Sequence, residues 1–127
     1  MSTWRVLIVG GNENGTIRDA LLDWGIHVMQ CRSVREARKI LREQKVPQVF
    51  CNAKLPDGSY RDVVDIARSV QPEPRVVVLM PKGSAEHSFQ DAMKAGAFDT
   101  LPSPAGRPDV HWEVLQAMRE NAQGKVA

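Results

Sequence analysis

The chain of 127 residues is short of most features that would set it apart from an ordinary folded domain. It has only two cysteines, Cys31 and Cys51, which could form at most one bridge and make no Cys-x-x-Cys pair. A disulfide framework is therefore not indicated, a reducing compartment fits, and both thiols are expected to be buried and inert. Long apolar runs are missing: Val6–Val9 and Val76–Met80 are four and five residues, against the roughly 20 needed to cross a bilayer. The start, Met-Ser-Thr-Trp-Arg, lacks the apolar segment and small-residue cleavage site of a secretory signal, so a cytoplasmic location with no membrane attachment is expected. Net charge is nearly absent, since seventeen Lys and Arg against fifteen Asp and Glu leave +2. That balance gives no reason to expect direct nucleic-acid binding.

What is present is 43% hydrophobic and 25% charged residues with no internal repeat or low-complexity stretch. A chain of this length buries roughly two-thirds of its unfolded surface, enough for one core without disulfide or metal. Apolar runs and helical spacings alternate along it. Val6–Val9 reads as a buried strand ending at Gly10-Gly11-Asn12, after which Ile17, Ala20, Leu21 and Trp24 mark one helix face closed by Gly25. Ile26–Gln30 reads as a second strand. Ser33 and Glu36 then form a capping box before a helix on Val34, Ala37 and Leu41. Val49-Phe50-Cys51 runs into Asn52 and a loop, Lys54-Leu55-Pro56-Asp57-Gly58, ahead of helical spacing at Val63, Ile66, Ala67 and Val70.

Pro72 and Pro74 break that helix, Val76–Met80 is a β-branched strand, and Ser84 is expected to cap a helix carrying Phe89, Ala92 and Met93 up to Gly96. Phe98–Leu101 reads as a short fifth strand and Pro102, Pro104 and Pro108 as a stiff connection. Val110, Val114, Ala117 and Met118 mark the last helix. Five strand–helix pairs without a hairpin signal imply an α/β domain with a parallel sheet covered on both faces by right-handed crossovers. Ligands of such sheets collect beyond the carboxyl ends of the strands, so the loops at Gly10, Asn52, Met80 and Pro102 are expected to share one crevice.

The order of elements, the Leu55-Pro56-Asp57-Gly58 loop, Ala95-Gly96-Ala97 before the fifth strand and Pro104 after it resemble the receiver domain of two-component response regulators. The resemblance spans about residues 4 to 120. It implies a flavodoxin-like, three-layer (βα)5 fold with strand order 2-1-3-4-5, a receiver-like domain over 1–120, and a polar tail or linker start over 121–127. In that family an acidic pair after the first strand holds Mg²⁺, and an aspartate ending the third strand takes a phosphoryl group. Here the pair falls on Gly10 and Gly11 and the acceptor on Asn52. The family's Ser or Thr after the fourth strand maps to Met80, its aromatic switch to Thr100, and its lysine before proline to Ser103.

Those replacements bear directly on chemistry. Mg²⁺ takes hard oxygen ligands, which glycine side chains cannot supply, and an amide is too weak a nucleophile for aspartyl-phosphate formation. The expectation is a crevice stripped of charge, without a Mg²⁺ site, other cofactor or catalysis, in a pseudo-receiver that signals by contact. Met80 is expected to fill the crevice as an apolar plug.

The partner implied by the resemblance is a protein, a linked effector or a second copy, met through the face of the fourth helix, fifth strand and fifth helix. Trp112 and Leu115 fall off the buried stripe of the last helix and would add apolar surface. The second helix has a basic side in Arg32, Arg35, Arg38, Lys39, Arg42 and Lys45, read as solvated with an acidic docking partner as the alternative.

A reading from another class is a small-anion or nucleotide sensor using the N–H groups of the Gly10–Gly15 loop, although that loop lacks the phosphate-loop lysine. Glu13 and Asp57 are expected to serve loop polarity, turns or caps. His27, His87 and His111 show no metal-ligand spacing and are expected to be solvated.

Overall fold

The computed structural model describes the backbone of residues 4–126 and the side chains of residues 4–122. Five parallel strands form the central sheet: β1 (Arg5–Val9), β2 (His27–Cys31), β3 (Gln48–Asn52), β4 (Arg75–Pro81) and β5 (Asp99–Ser103), in the order β2-β1-β3-β4-β5. Five helices connect and follow them: α1 (Gly15–Asp23), α2 (Val34–Glu43), α3 (Tyr60–Arg68), α4 (Glu86–Ala95) and α5 (Arg107–Val126). This is the flavodoxin-like (βα)5 architecture.

The three central strands are apolar because they are covered on both faces. Val6–Val9, Val49–Cys51 and Val76–Met80 are all buried. Alternate residues feed two cores. Leu7, Val9, Val49, Cys51, Val76, Val78 and Met80 pack with residues of α2, α3 and α4. Val6, Ile8, Phe50, Val77 and Leu79 pack with Ile17, Ala20 and Leu21 of α1 and Val110 and Val114 of α5. The two cysteines lie in the first core, and burial, acting first, pushes the Cys31 thiol up to about 11 and Cys51 higher still. As expected from the sequence, both are free and buried, and a raised thiol pKa disfavours the reactive thiolate.

Several local signals act as read. Gly25 (φ 68°) and Gly96 (φ 114°) take the left-handed conformation that ends α1 and α4. The Ser33 hydroxyl accepts from the Glu36 N–H at the start of α2, while the Glu36 carboxylate reaches one residue further out, to the Arg32 N–H.

Others are corrected. The loop after β3 contains a small antiparallel hairpin, Lys54–Leu55 on Gly58–Ser59. Ser84 does not cap α4: its hydroxyl donates to the Pro81 carbonyl, and Ala85 occupies the cap position. Pro102 lies inside β5 rather than in a connection, which an edge strand tolerates because it pairs on one side only. Trp24 is 43% exposed rather than core. It stacks on His111 with ring centroids 4.1 Å apart, and the His111 ring is within 2.8 Å of the Ala20 carbonyl, so this histidine is not simply solvated. Helix α5 continues past residue 120 to Val126, where the sequence suggested a tail; Ala127 lies outside the described residues.

Candidate functional site

The carboxyl end of the sheet gathers the positions singled out in the sequence to different degrees. Val9 pairs with both Cys31 and Cys51, so Gly10 leaves β1 directly beside Asn52 at the end of β3. Gly10 N–H then donates to the Cys31 carbonyl at 2.8 Å. Met80 opposes Pro102 and is 3% exposed within the core beneath α3 and α4, as a plug would be. Thr100 opposes Val78, two residues below Met80, and Ser103 opposes Pro81 at the strand ends; both are half-buried. Gly10, Gly11 and Asn52 therefore form one cluster, and Met80, Thr100 and Ser103 line the neighbouring strands.

Two residues whose part here the sequence did not reveal complete that cluster. After Gly11 the chain makes a 3-10 turn, Asn12–Asn14, which swings the next side chains back over β3. Asn14, only 2% exposed, donates its amide to the Asn52 Oδ1 at 3.0 Å. Asn52 Nδ2 donates to Glu13 Oε1 at 2.5 Å, and the same oxygen accepts from the Gly11 N–H at 3.2 Å. Glu13 is exposed, but these donors hold its carboxyl below the usual carboxylate range. Its own backbone N–H contributes most, then the Asn52 amide, with Gly11 and the positive charge of Arg32 adding to them.

The crevice is thus not stripped of charge: one carboxylate lies across it. The glycines make the room. A Cβ on Gly10 would come within 2.4 Å of Asn14 Nδ2 and 2.6 Å of Asn52 Cγ, and one on Gly11 within 2.6 Å of Glu13 Oε2.

The loop is further pinned by β2 and the residue that follows it: Gln30 Nε2 donates to the Gly11 carbonyl at 3.3 Å and Arg32 Nη2 to Asn12 Oδ1 at 3.0 Å. Of the N–H groups on which the alternative anion-binding reading drew, those of Gly10 and Gly11 are bonded to the Cys31 carbonyl and the Glu13 carboxylate.

Mg²⁺ demands near-octahedral oxygen coordination. Around Asn52 the side chains offer one carboxylate and an amide oxygen already bonded to Asn14. Among the described residues no three His, Cys, Asp or Glu side chains converge. This donor set does not fit the ion.

Asp57, on the hairpin beside the crevice, has a different task. Its Oδ1 accepts from Val34 N–H at 2.8 Å and its Oδ2 from Arg35 N–H at 3.1 Å, capping α2 from 23 residues away. The Val34 N–H is the main reason its carboxyl is lowered. The hairpin is thereby tied to α2, and Ala53 N–H, donating to the Leu79 carbonyl, ties it to β4.

No family model matches the chain. The response regulator protein PilR of Pseudomonas aeruginosa is 34% identical over 88 residues, which are 69% of this chain and 20% of PilR. The photosynthetic apparatus regulatory protein RegA of Cereibacter sphaeroides is 31% identical over 91 residues, 72% of this chain and 49% of RegA. The solved structure of the beryllofluoride-activated NtrC4 receiver domain dimer superposes with a TM-score of 0.83 at 25% identity, covering 93% of this chain and 98% of that one. The chain belongs to the response regulator receiver family.

This receiver spans half or less of the curated relatives it matches. Large apolar groups stand in solvent on three helices: Met93 on α4 is 47% exposed, Trp112 and Leu115 on α5 are 58% and 49% exposed, and Leu22 on α1 is 49% exposed. The receiver's α2 carries its basic residues on exposed positions, Arg35, Arg38, Lys39 and Arg42 among them. Among the described residues, no helix is long and apolar enough to cross a membrane.

Proposed function

We propose that this receiver acts in two-component signal transduction through protein–protein contacts, without an aspartyl-phosphate switch, as a pseudo-receiver. The observation that carries the reading is the state of Asn52. It occupies the acceptor position at the end of β3, and both ends of its amide are committed, Nδ2 to Glu13 and Oδ1 to Asn14. An amide is neutral and a poor nucleophile, and the donors around it do not make the metal site that stabilises phosphoryl transfer. The domain then needs neither Mg²⁺ nor another cofactor and performs no catalysis of its own. The partner is a protein, a linked effector or a second copy, met on the α4–β5–α5 face, where Met93 and Trp112 offer apolar contact. A cytoplasmic setting fits this role.

Intact mass after incubation with Mg²⁺ and acetyl phosphate is the test. The expected result is an unchanged mass, and a stoichiometric gain of one phosphoryl group would overturn the reading.

A further inference from the structure

The Glu13 carboxylate lies on the N–H donors that an incoming oxyanion would use, and the surrounding replacements are fitted to it. Gly11 has no side chain where Glu13 Oε2 lies, and Gly10 has none where Asn14 and Asn52 meet. Asn52 must donate on one side and accept on the other, which an amide does and a carboxylate cannot. Gln30 of β2 and Arg32 just beyond it hold the loop from the side.

We propose that Glu13 is an intramolecular cover over an oxyanion site: its carboxylate occupies the Asn52 Nδ2 and Gly11 N–H donors, excludes phosphate-class anions, and holds the crevice in one state without a ligand. The idea rests on the reading of Asn52 as an unphosphorylated position. Because Glu13 itself is exposed, its removal frees two donors and subtracts one negative charge without opening a core cavity. Asn14 would still hold Asn52 by its Oδ1. Arg32, whose charge already acts on Glu13, would favour the incoming anion.

The test is non-covalent. Uniformly ¹⁵N-labelled protein is titrated with inorganic phosphate, which cannot phosphorylate a side chain, so the outcome is separate from that of the acetyl phosphate experiment. The Asn52 side-chain amide and the Gly11 N–H are followed in the wild type, Glu13→Ala and Glu13→Gln. The wild type is expected to show no saturable response at either group. In Glu13→Ala both signals should move before any addition and then shift saturably with phosphate, as the two freed donors take up the anion in charge-assisted hydrogen bonds. Glu13→Gln keeps an acceptor oxygen without the charge and should fall between.

Unaltered dispersion elsewhere in the spectrum shows that the variants are folded. Equal phosphate responses in wild type and Glu13→Ala would overturn the proposal, as would a variant that does not respond or an Asn52 amide signal unmoved by either substitution.

Discussion

Glu13 and Glu113 sit at opposite ends of the sheet and show what decides the state of a carboxyl in this fold. Glu13 lies beyond the carboxyl ends of the strands, exposed, and is supplied with the Asn52 amide and the Gly11 N–H. Its carboxyl is lowered. Glu113 lies on α5 toward the amino ends, only 1% exposed, where its backbone carbonyl accepts from the Gln48 amide and the Gln48 Oε1 accepts from the Trp4 indole. Its side-chain Oε1 has no hydrogen-bond partner. Burial first, then the neighbouring Asp99 and Asp109, push it up to about 9, so it is protonated at neutral pH. The fold satisfies a carboxylate at the end where loops can bring N–H donors, and neutralises one at the end where strands and helix leave none.

The contrast is broken most forcefully at Glu113. A carboxyl whose folded value lies near 9 and whose ordinary value is 4.5 binds a proton in the folded chain and not in the unfolded one between those limits. Stability therefore falls as pH rises from about 4.5 towards about 9. Glu113→Gln should gain about 1–3 kcal/mol over the wild type at pH 8, the scale of an unsatisfied buried polar group, and nothing comparable at pH 5. Urea unfolding at both pH values checks this, and equal slopes with pH in the two proteins would remove the contrast.

At the other end, Gly10→Ala should cost about 1–3 kcal/mol, because its Cβ intrudes on the Asn14–Asn52 pair. The neighbouring Gly15→Ala should be stabilising by about 0.4–1 kcal/mol, since Gly15 is already helical and its Cβ meets nothing within 4 Å. Thermal denaturation of the two variants side by side shows whether the glycine at 10 serves space and the one at 15 does not.

The smallest effect is expected from Asp57→Asn. Asp57 has a lowered carboxyl, so its contribution is present at neutral pH and lost as pH falls through that lowered value. The variant should lower the unfolding midpoint slightly at pH 7 and show a shallower loss as the solution is acidified. A midpoint unchanged at pH 7 would mean that the cap from Asp57 contributes nothing.

Much of the fold was legible along the chain. The buried strands, the helix stripes and the glycines closing α1 and α4 follow from spacing or from turn chemistry that is local, whereas Asn52, three residues before the Leu55–Gly58 loop, was singled out by the resemblance to receiver domains. Errors came where a neighbour in space changed the outcome. Ser84 looked like a cap but found the Pro81 carbonyl, Trp24 looked like core but stacks on His111, and Pro102 sits in a strand because that strand is an edge. The expectation of an uncharged crevice failed for the same reason. Glu13 follows a pair of glycines at a strand end, and the bare space those glycines leave was the one available sign that a later side chain folds back.

The amino-acid order alone determined the layers, because a period of two or of 3.6 needs no knowledge of distant residues to show which side turns inward. Only tertiary structure decided where the charges went. The bonds that seat Glu13 and Asn14 on Asn52 span 39 and 38 positions, and the cap from Asp57 to Val34 spans 23. A polar group's state depends on the donors that surround it in space, and those arrive from separate strands only after the sheet has brought their ends together.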